Sequence, residues 1–253
     1  MRLSIPLVLL AVLLLVSVPA WADPIPITTL FNTGVASDGT PLPDGAADPH
    51  YTLVSSPGGA FLGSTYTLNS ESLAILIPGF WTPNTSTSKW IAPSPDPIIE
   101  SYPHEFGGNY IYRTSFSLPS TFDPLTDTAL ITGQWASDNT GVDILINGMS
   151  TGNSIPYGCE FGPCSFQVFT PLSINTGFQA GINALDFIVW QPGGNYTGIH
   201  AQMTGQYDLF PPGPPPWPPG PPPWNPVPEP STLALLGIGL VGLIGYGSRH
   251  RAR

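Results

Sequence analysis

Proline and glycine interrupt this chain too often for long helices: 33 of its 253 residues are proline and 28 are glycine. Proline lacks the backbone donor and fixes φ, glycine gives up the most backbone entropy on ordering, and both punctuate turns. The architecture open to such a chain is short strands joined by many turns. Only 9% of the residues are charged, which also excludes coiled coils and helical bundles, whose outer faces need Glu and Lys. The few cations sit near the ends, Arg2 at one and Arg249, Arg251 and Arg253 at the other, leaving Lys89 and Arg113 between them. From Asp23 to Phe210 there are 15 acids against 2 bases, a balance of −13. A body that acidic repels phosphate backbones, so no nucleic-acid partner is expected.

Both termini read as addressing segments. Residues 1–22 combine Met1-Arg2, an apolar run from Leu7 to Val16 and the close Pro19-Ala20-Trp21-Ala22. These are the basic, apolar and A-x-A parts of a signal peptide, with Ala20 and Ala22 as the small residues before the cut and Asp23 as the first mature residue. An uncleaved anchor is the rival reading of the same run. The C-terminus has three parts of its own: Pro228-Glu229-Pro230-Ser231, an apolar stretch from Leu233 to Tyr246, and Arg249-His250-Arg251-Ala252-Arg253. As a helix, the uncharged segment from Ser231 to Ser248 spans about 27 Å, just short of a hydrocarbon core of about 30 Å. Five glycines (Gly237, Gly239, Gly242, Gly245 and Gly247) weaken that helix, which suits transient rather than permanent insertion into the inner membrane. The arginines stop transfer and stay cytoplasmic, which leaves the Pro-Glu-Pro tripeptide on the outer face.

This tripartite tail resembles the PEP-CTERM sorting signal of exopolysaccharide-producing Gram-negative bacteria. The resemblance implies recognition of Pro228, Glu229 and Pro230 by exosortase, a membrane-embedded protease that removes the tail and delivers the protein to the envelope or extracellular matrix. A plain C-terminal anchor is the alternative. The expected organisation is a signal peptide (1–22), a folded body (23–210), a linker (211–227) and the sorting signal (228–253). The linker repeats Pro-Pro-Gly-Pro-Pro-Pro-Trp, ending at Trp217 and again at Trp224. So proline-dense a segment can only extend as polyproline II, a stiff spacer whose tryptophans are also able to stack on sugars.

Within the body, period-2 alternation predicts strands. Tyr110, Tyr112, Thr114, Phe116 and Leu118 share one face, and Leu185, Phe187 and Val189 share another. Val142, Ile144 and Ile146 alternate with Asp143 and Leu145, and Asn147-Gly148 then supplies the positive-φ pair of a tight hairpin. Further strands are expected over 25–31, 51–54, 66–68, 73–77, 129–135 and 199–207. Many short strands with Gly, Pro, Asn and Asp turns predict an all-β, antiparallel β-sandwich. The run Trp135-Ala136-Ser137-Asp138-Asn139, the strand ending at Asn147-Gly148, and Gly181-Ile182-Asn183-Ala184-Leu185-Asp186-Phe187 together resemble galactose-binding-like jelly rolls. That resemblance implies a fold used chiefly for non-catalytic binding and leaves the ligand unnamed.

Candidate chemistry is sparse. Cys159 and Cys164, the only cysteines, read as a disulfide closing one loop of an exported protein. Asp138, Asn139 and Asp143 cluster at a turn; they suit turn chemistry first and calcium second, and no other cofactor is expected. Trp135 and Trp190 are assigned to the core or its rim, with a glycan platform of Trp135, Trp190 and Tyr196 as the minority reading. No Gly-x-Ser-x-Gly elbow, phosphate loop or zinc-protease helix motif is present, and His104-Glu105 lacks the second histidine. The expected function is therefore a non-enzymatic envelope or matrix protein that binds exopolysaccharide. The rival is a secreted carbohydrate-active enzyme, because two catalytic carboxylates can meet from different strands without leaving a motif.

Overall fold

In β5, Gly108–Leu118, the side chains of Tyr110, Tyr112, Thr114, Phe116 and Leu118 are buried while Arg113, Ser115 and Ser117 are exposed, as the alternation requires. The computed structural model describes residues 23–68, 81–95, 107–156, 164–192 and 196–210. The signal peptide, linker, sorting tail, Cys159, His104 and the expected strand at 73–77 lie outside the described residues. The other strands are β1 Ile25–Pro26, β2 Ala47–Ser55, β3 Gly63–Thr67, β4 Ile91–Ala92, β6 Thr128–Asp138, β7 Thr140–Ile146, β8 Met149–Ser150, β9 Thr170–Ile174, β10 Gly181–Gln191 and β11 Gly198–Asp208.

Every pairing is antiparallel, and the order runs β8-β7-β10-β5-β2-β3-β4-β11-β6-β9, with β1 added to β11. The sheet curls through β3 and β4, so that one wall of β7, β10, β5 and β2 packs on a second wall of β11, β6 and β9. Tyr112, Phe116, Ile144, Leu185 and Phe187 from the first wall share a core with Ile131, Trp135, Leu172, Ile174 and Ala201 from the second. Between the walls, Trp135 meets Phe187 edge to face at a centroid separation of 5.5 Å. Gly141 lies against that indole: a Cβ there would come within 2.6 Å of the ring, so position 141 accepts no side chain. From β5 onward every link except the β7–β8 hairpin crosses from one wall to the other. The body is thus an all-β antiparallel curled sheet consistent with a jelly roll.

Two local expectations change in the structure. The strand expected over 25–31 stops after Pro26, because a turn follows at Thr28-Thr29 and prolines at 24 and 26 offer no ladder donors. Val142, expected inside with Ile144 and Ile146, is 42% exposed. A β-bulge opposite Ile188 and Val189 makes it the extra residue of β7 and turns it outward. At the edge, β9 carries Pro171, and the carboxamide of Asn153 both accepts from the Ser173 N–H and donates to the Ser173 carbonyl at 3.0 Å. That side chain blunts an edge that would otherwise invite strand addition.

The two asparagines of the jelly-roll-like pattern meet. Asn147 (φ 51°) and Gly148 (φ 80°) form the β7–β8 turn, as expected. Asn147 Nδ2 donates to Asn183 Oδ1 at 2.8 Å, and Asn183, fully buried, also donates to the Gln179 and Gly181 carbonyls and accepts from the Gln179 N–H. One carboxamide therefore closes the turn before β10 and clamps it to the hairpin. Asn183→Ala leaves buried partners unpaired and is expected to cost about 2–3 kcal/mol, read as a fall in the urea midpoint at unchanged m-value.

Candidate functional site

At one pole of the sandwich the end of β6, the starts of β5, β7 and β11, and the end of β10 converge. Gly198 pairs with Asp138, and Trp190 sits between Thr140 and Asn109. Segment 81–90 folds into this pole. Trp81 and Trp90 stack at 4.3 Å, Trp81 Nε1 donates to Asp138 Oδ2 at 2.8 Å, and Trp90 Nε1 donates to the Thr82 carbonyl at 2.8 Å. Asp138 is only 3% exposed and its one neutral donor compensates little, so burial pushes its pKa up to about 7.

His200, 0% exposed, lies 2.7 Å from Ser88 Oγ through Nε2 and 3.4 Å from Thr82 Oγ1 through Nδ1. Gln202 Nε2 donates to the Ser88 oxygen at 2.9 Å, and Thr85 Oγ1 lies 2.9 Å from the same oxygen, so one hydroxyl ties three side chains together. Burial against Trp90 and Phe169 holds the imidazole neutral, its pKa lowered to about 3. The serine and histidine are spaced like a nucleophile and its base, but both are sealed from solvent and Thr82, not a carboxylate, faces the second nitrogen. The arrangement fastens segment 81–90 to β11. Sequence reading missed it because Ser88 and His200 are 112 residues apart and neither stands in a motif.

The expected calcium group does not assemble as a ligand set. Asp138 is bonded to the Trp81 indole, Asn139 Nδ2 donates to Gln191 Oε1, and Asp143 accepts from its neighbour's N–H and from the Ser150 hydroxyl. Among the described residues no three His, Cys, Asp or Glu side chains gather as metal ligands. The glycan trio also separates. Trp135 is 0% exposed and wedged under Gly141, which leaves no ring face for a sugar; it takes the core reading. Tyr196 is partly buried and meets Trp81 edge to face. Trp190 alone of the described tryptophans opens to solvent, at 44%, because its neighbours Val189 and Gln191 point inward. Cys164 is not a free thiol.

The tail supplies the one comparison that matches. Residues 226–252 match the PEP-CTERM protein-sorting motif. That match covers Pro228-Glu229-Pro230, the apolar stretch and two of the three arginines, and the sorting signal implies export to the cell envelope or extracellular space with exosortase as the processing partner. No curated protein and no solved structure matches the chain.

Proposed function

We propose that this chain is a non-enzymatic matrix or envelope protein, exported behind a cleaved signal peptide, released from its PEP-CTERM tail, and built to bind exopolysaccharide through its β-sandwich. The sorting motif at 226–252 carries the reading, because it implies an exosortase-sorted exported protein, and the resemblance to the signal of exopolysaccharide-producing bacteria suggests the ligand. The non-catalytic half is supported by the pole, where Asp138 and His200, whose pKa values are displaced to about 7 and about 3, are buried and engaged in holding the fold. A Cys159–Cys164 disulfide suits the oxidising compartment.

The intact mass of the protein recovered outside the producing cell tests this in one measurement. The expected mass begins at Asp23, ends near Pro228-Glu229-Pro230 and is two hydrogen atoms lighter than the dithiol form. A mass that includes the C-terminal arginines overturns the sorting reading, and one that includes residues 1–22 overturns the signal cut. Turnover of a polysaccharide that a single Asp or Glu substitution abolishes overturns the non-enzymatic half.

A further inference from the structure

We infer that the outer face of the β5-β10-β7 wall, centred on Trp190, is a binding platform for a neutral polysaccharide; this rests on the matrix reading and gives it a site. Trp190 is the one tryptophan among the described residues that the fold leaves open to solvent. Its cross-strand neighbours are Asn109 on β5 and Thr140 on β7, both polar and uncharged. The Trp190 indole N–H and the side chains of Asn109 and Thr140 form no hydrogen bond with any described residue, in contrast with the engaged indoles of Trp81 and Trp90. Two residues along β10, Ile188 extends the apolar strip between Ile111 and Asp143, and the bulge exposes Val142 beside it.

An indole face bounded by hydrogen-bonding groups suits a pyranose ring, whose C–H face packs on the aromatic while its hydroxyls meet the flanking polar groups. Charge selects the class of polymer. On this face Asp186 is held by Arg113 through two bonds of 2.6 and 2.7 Å, and Asp143 by the Ser150 hydroxyl, so the platform has no spare cation for an acidic sugar. The balance of −13 over the body repels polyanions further. Trp190 also lies at the pole where β11 begins, whereas the chain leaves the body at Phe210, one β11 length or about 35 Å away.

The test is affinity electrophoresis of the processed protein from the producing cell, in gels containing hydroxyethylcellulose, galactomannan or xylan as neutral polymers and alginate as the anionic one. Retardation is expected by at least one neutral polymer and not by alginate. Trp190→Ala should weaken it at least tenfold at an unchanged unfolding midpoint, Trp190→Tyr should retain part of it, and Ile182→Ala, exposed at the other end of β10, should match the wild type. Neutral-polymer binding that survives Trp190→Ala overturns this site and leaves the matrix reading standing. Retardation by none of the polymers overturns the polysaccharide half of the proposed function, and the site falls with it, while tail removal is judged separately by mass. A Trp190-dependent dimer in sedimentation, without polymer binding, assigns the face to a second copy of the chain and also overturns the platform.

Discussion

Asp138→Asn is expected to stabilise the protein at pH 8 and to change its stability little at pH 4. The carboxyl of Asp138 is buried with Trp81 as its donor, and its pKa is about 7 in the fold against 3.8 for the ordinary group. The native state therefore holds this proton where the unfolded chain releases it. The stability that follows is fully present below about pH 3.8, declines as pH rises, and is lost once pH passes 7. Three pKa units correspond to about 4 kcal/mol, an order-of-magnitude ceiling. Asparagine matches the protonated acid in shape, still accepts from the indole and never ionises. His200 acts in the opposite sense: its pKa falls from 6.5 to about 3, so the stability it contributes is present above pH 6.5 and is lost as pH falls toward 3. In the wild type the two nearly offset each other between pH 4 and 6.5. In Asp138→Asn the His200 slope stands alone, so stability should climb across that window and stay high. Urea midpoints at pH 4, 5, 6, 7 and 8 check it, and the difference between variant and wild type removes other groups, including the buried Asp48, whose pKa is also raised. An equal loss in Asp138→Asn at every pH would mean that the carboxyl does not titrate in the fold.

What was legible in the sequence follows the range of the interactions involved. The alternation at 110–118 and the Asn147-Gly148 pair carry their structure locally, through side-chain period and positive φ, and both appear where expected. The face of Trp190 was legible too: it stands one step off the buried Leu185, Phe187 and Val189, so period 2 alone places it outside, although its size argued for core or rim. Val142 resisted the same logic because a bulge is a property of two strands, and nothing within β7 marks it. The short β4 and β8 have too few residues to show a period, and Pro171 masks β9. The pole was least legible. Trp81 and Asp138 are 57 residues apart, and their contact exists only because segment 81–90 folds onto the ends of β6 and β11. A buried acid and a buried histidine look in sequence like any Asp in a turn and any isolated His, and topology alone separates them.

Glu229→Ala is expected to leave the precursor unprocessed, shifting the tail-bearing form from undetectable to the majority species in the producing cell. Glu229 is the single charge between Asp208 and Arg249. Proline on each side fixes an extended backbone and removes the neighbouring donor at Pro230, so a protease meets one carboxylate on a rigid, hydrogen-bond-poor strand. Alanine keeps that shape and deletes the charge, which separates reading of the carboxylate from reading of the backbone. The membrane segment makes a different demand. On the membrane-spanning reading of the sequence, replacing Gly239 and Gly242 by leucine favours a helix and should prolong membrane residence while leaving the cut possible. Neutralising Arg249, Arg251 and Arg253 removes the stop-transfer charge, and the tail should then slip through the membrane and escape the cut. Immunoblots with antibodies to the body and to the tail follow all three variants. If Glu229 only solvates the end of the linker, Glu229→Ala matures like the wild type. Processing that ignores Glu229 but fails without the arginines would place recognition in the geometry of the membrane segment and leave the tripeptide as its spacer.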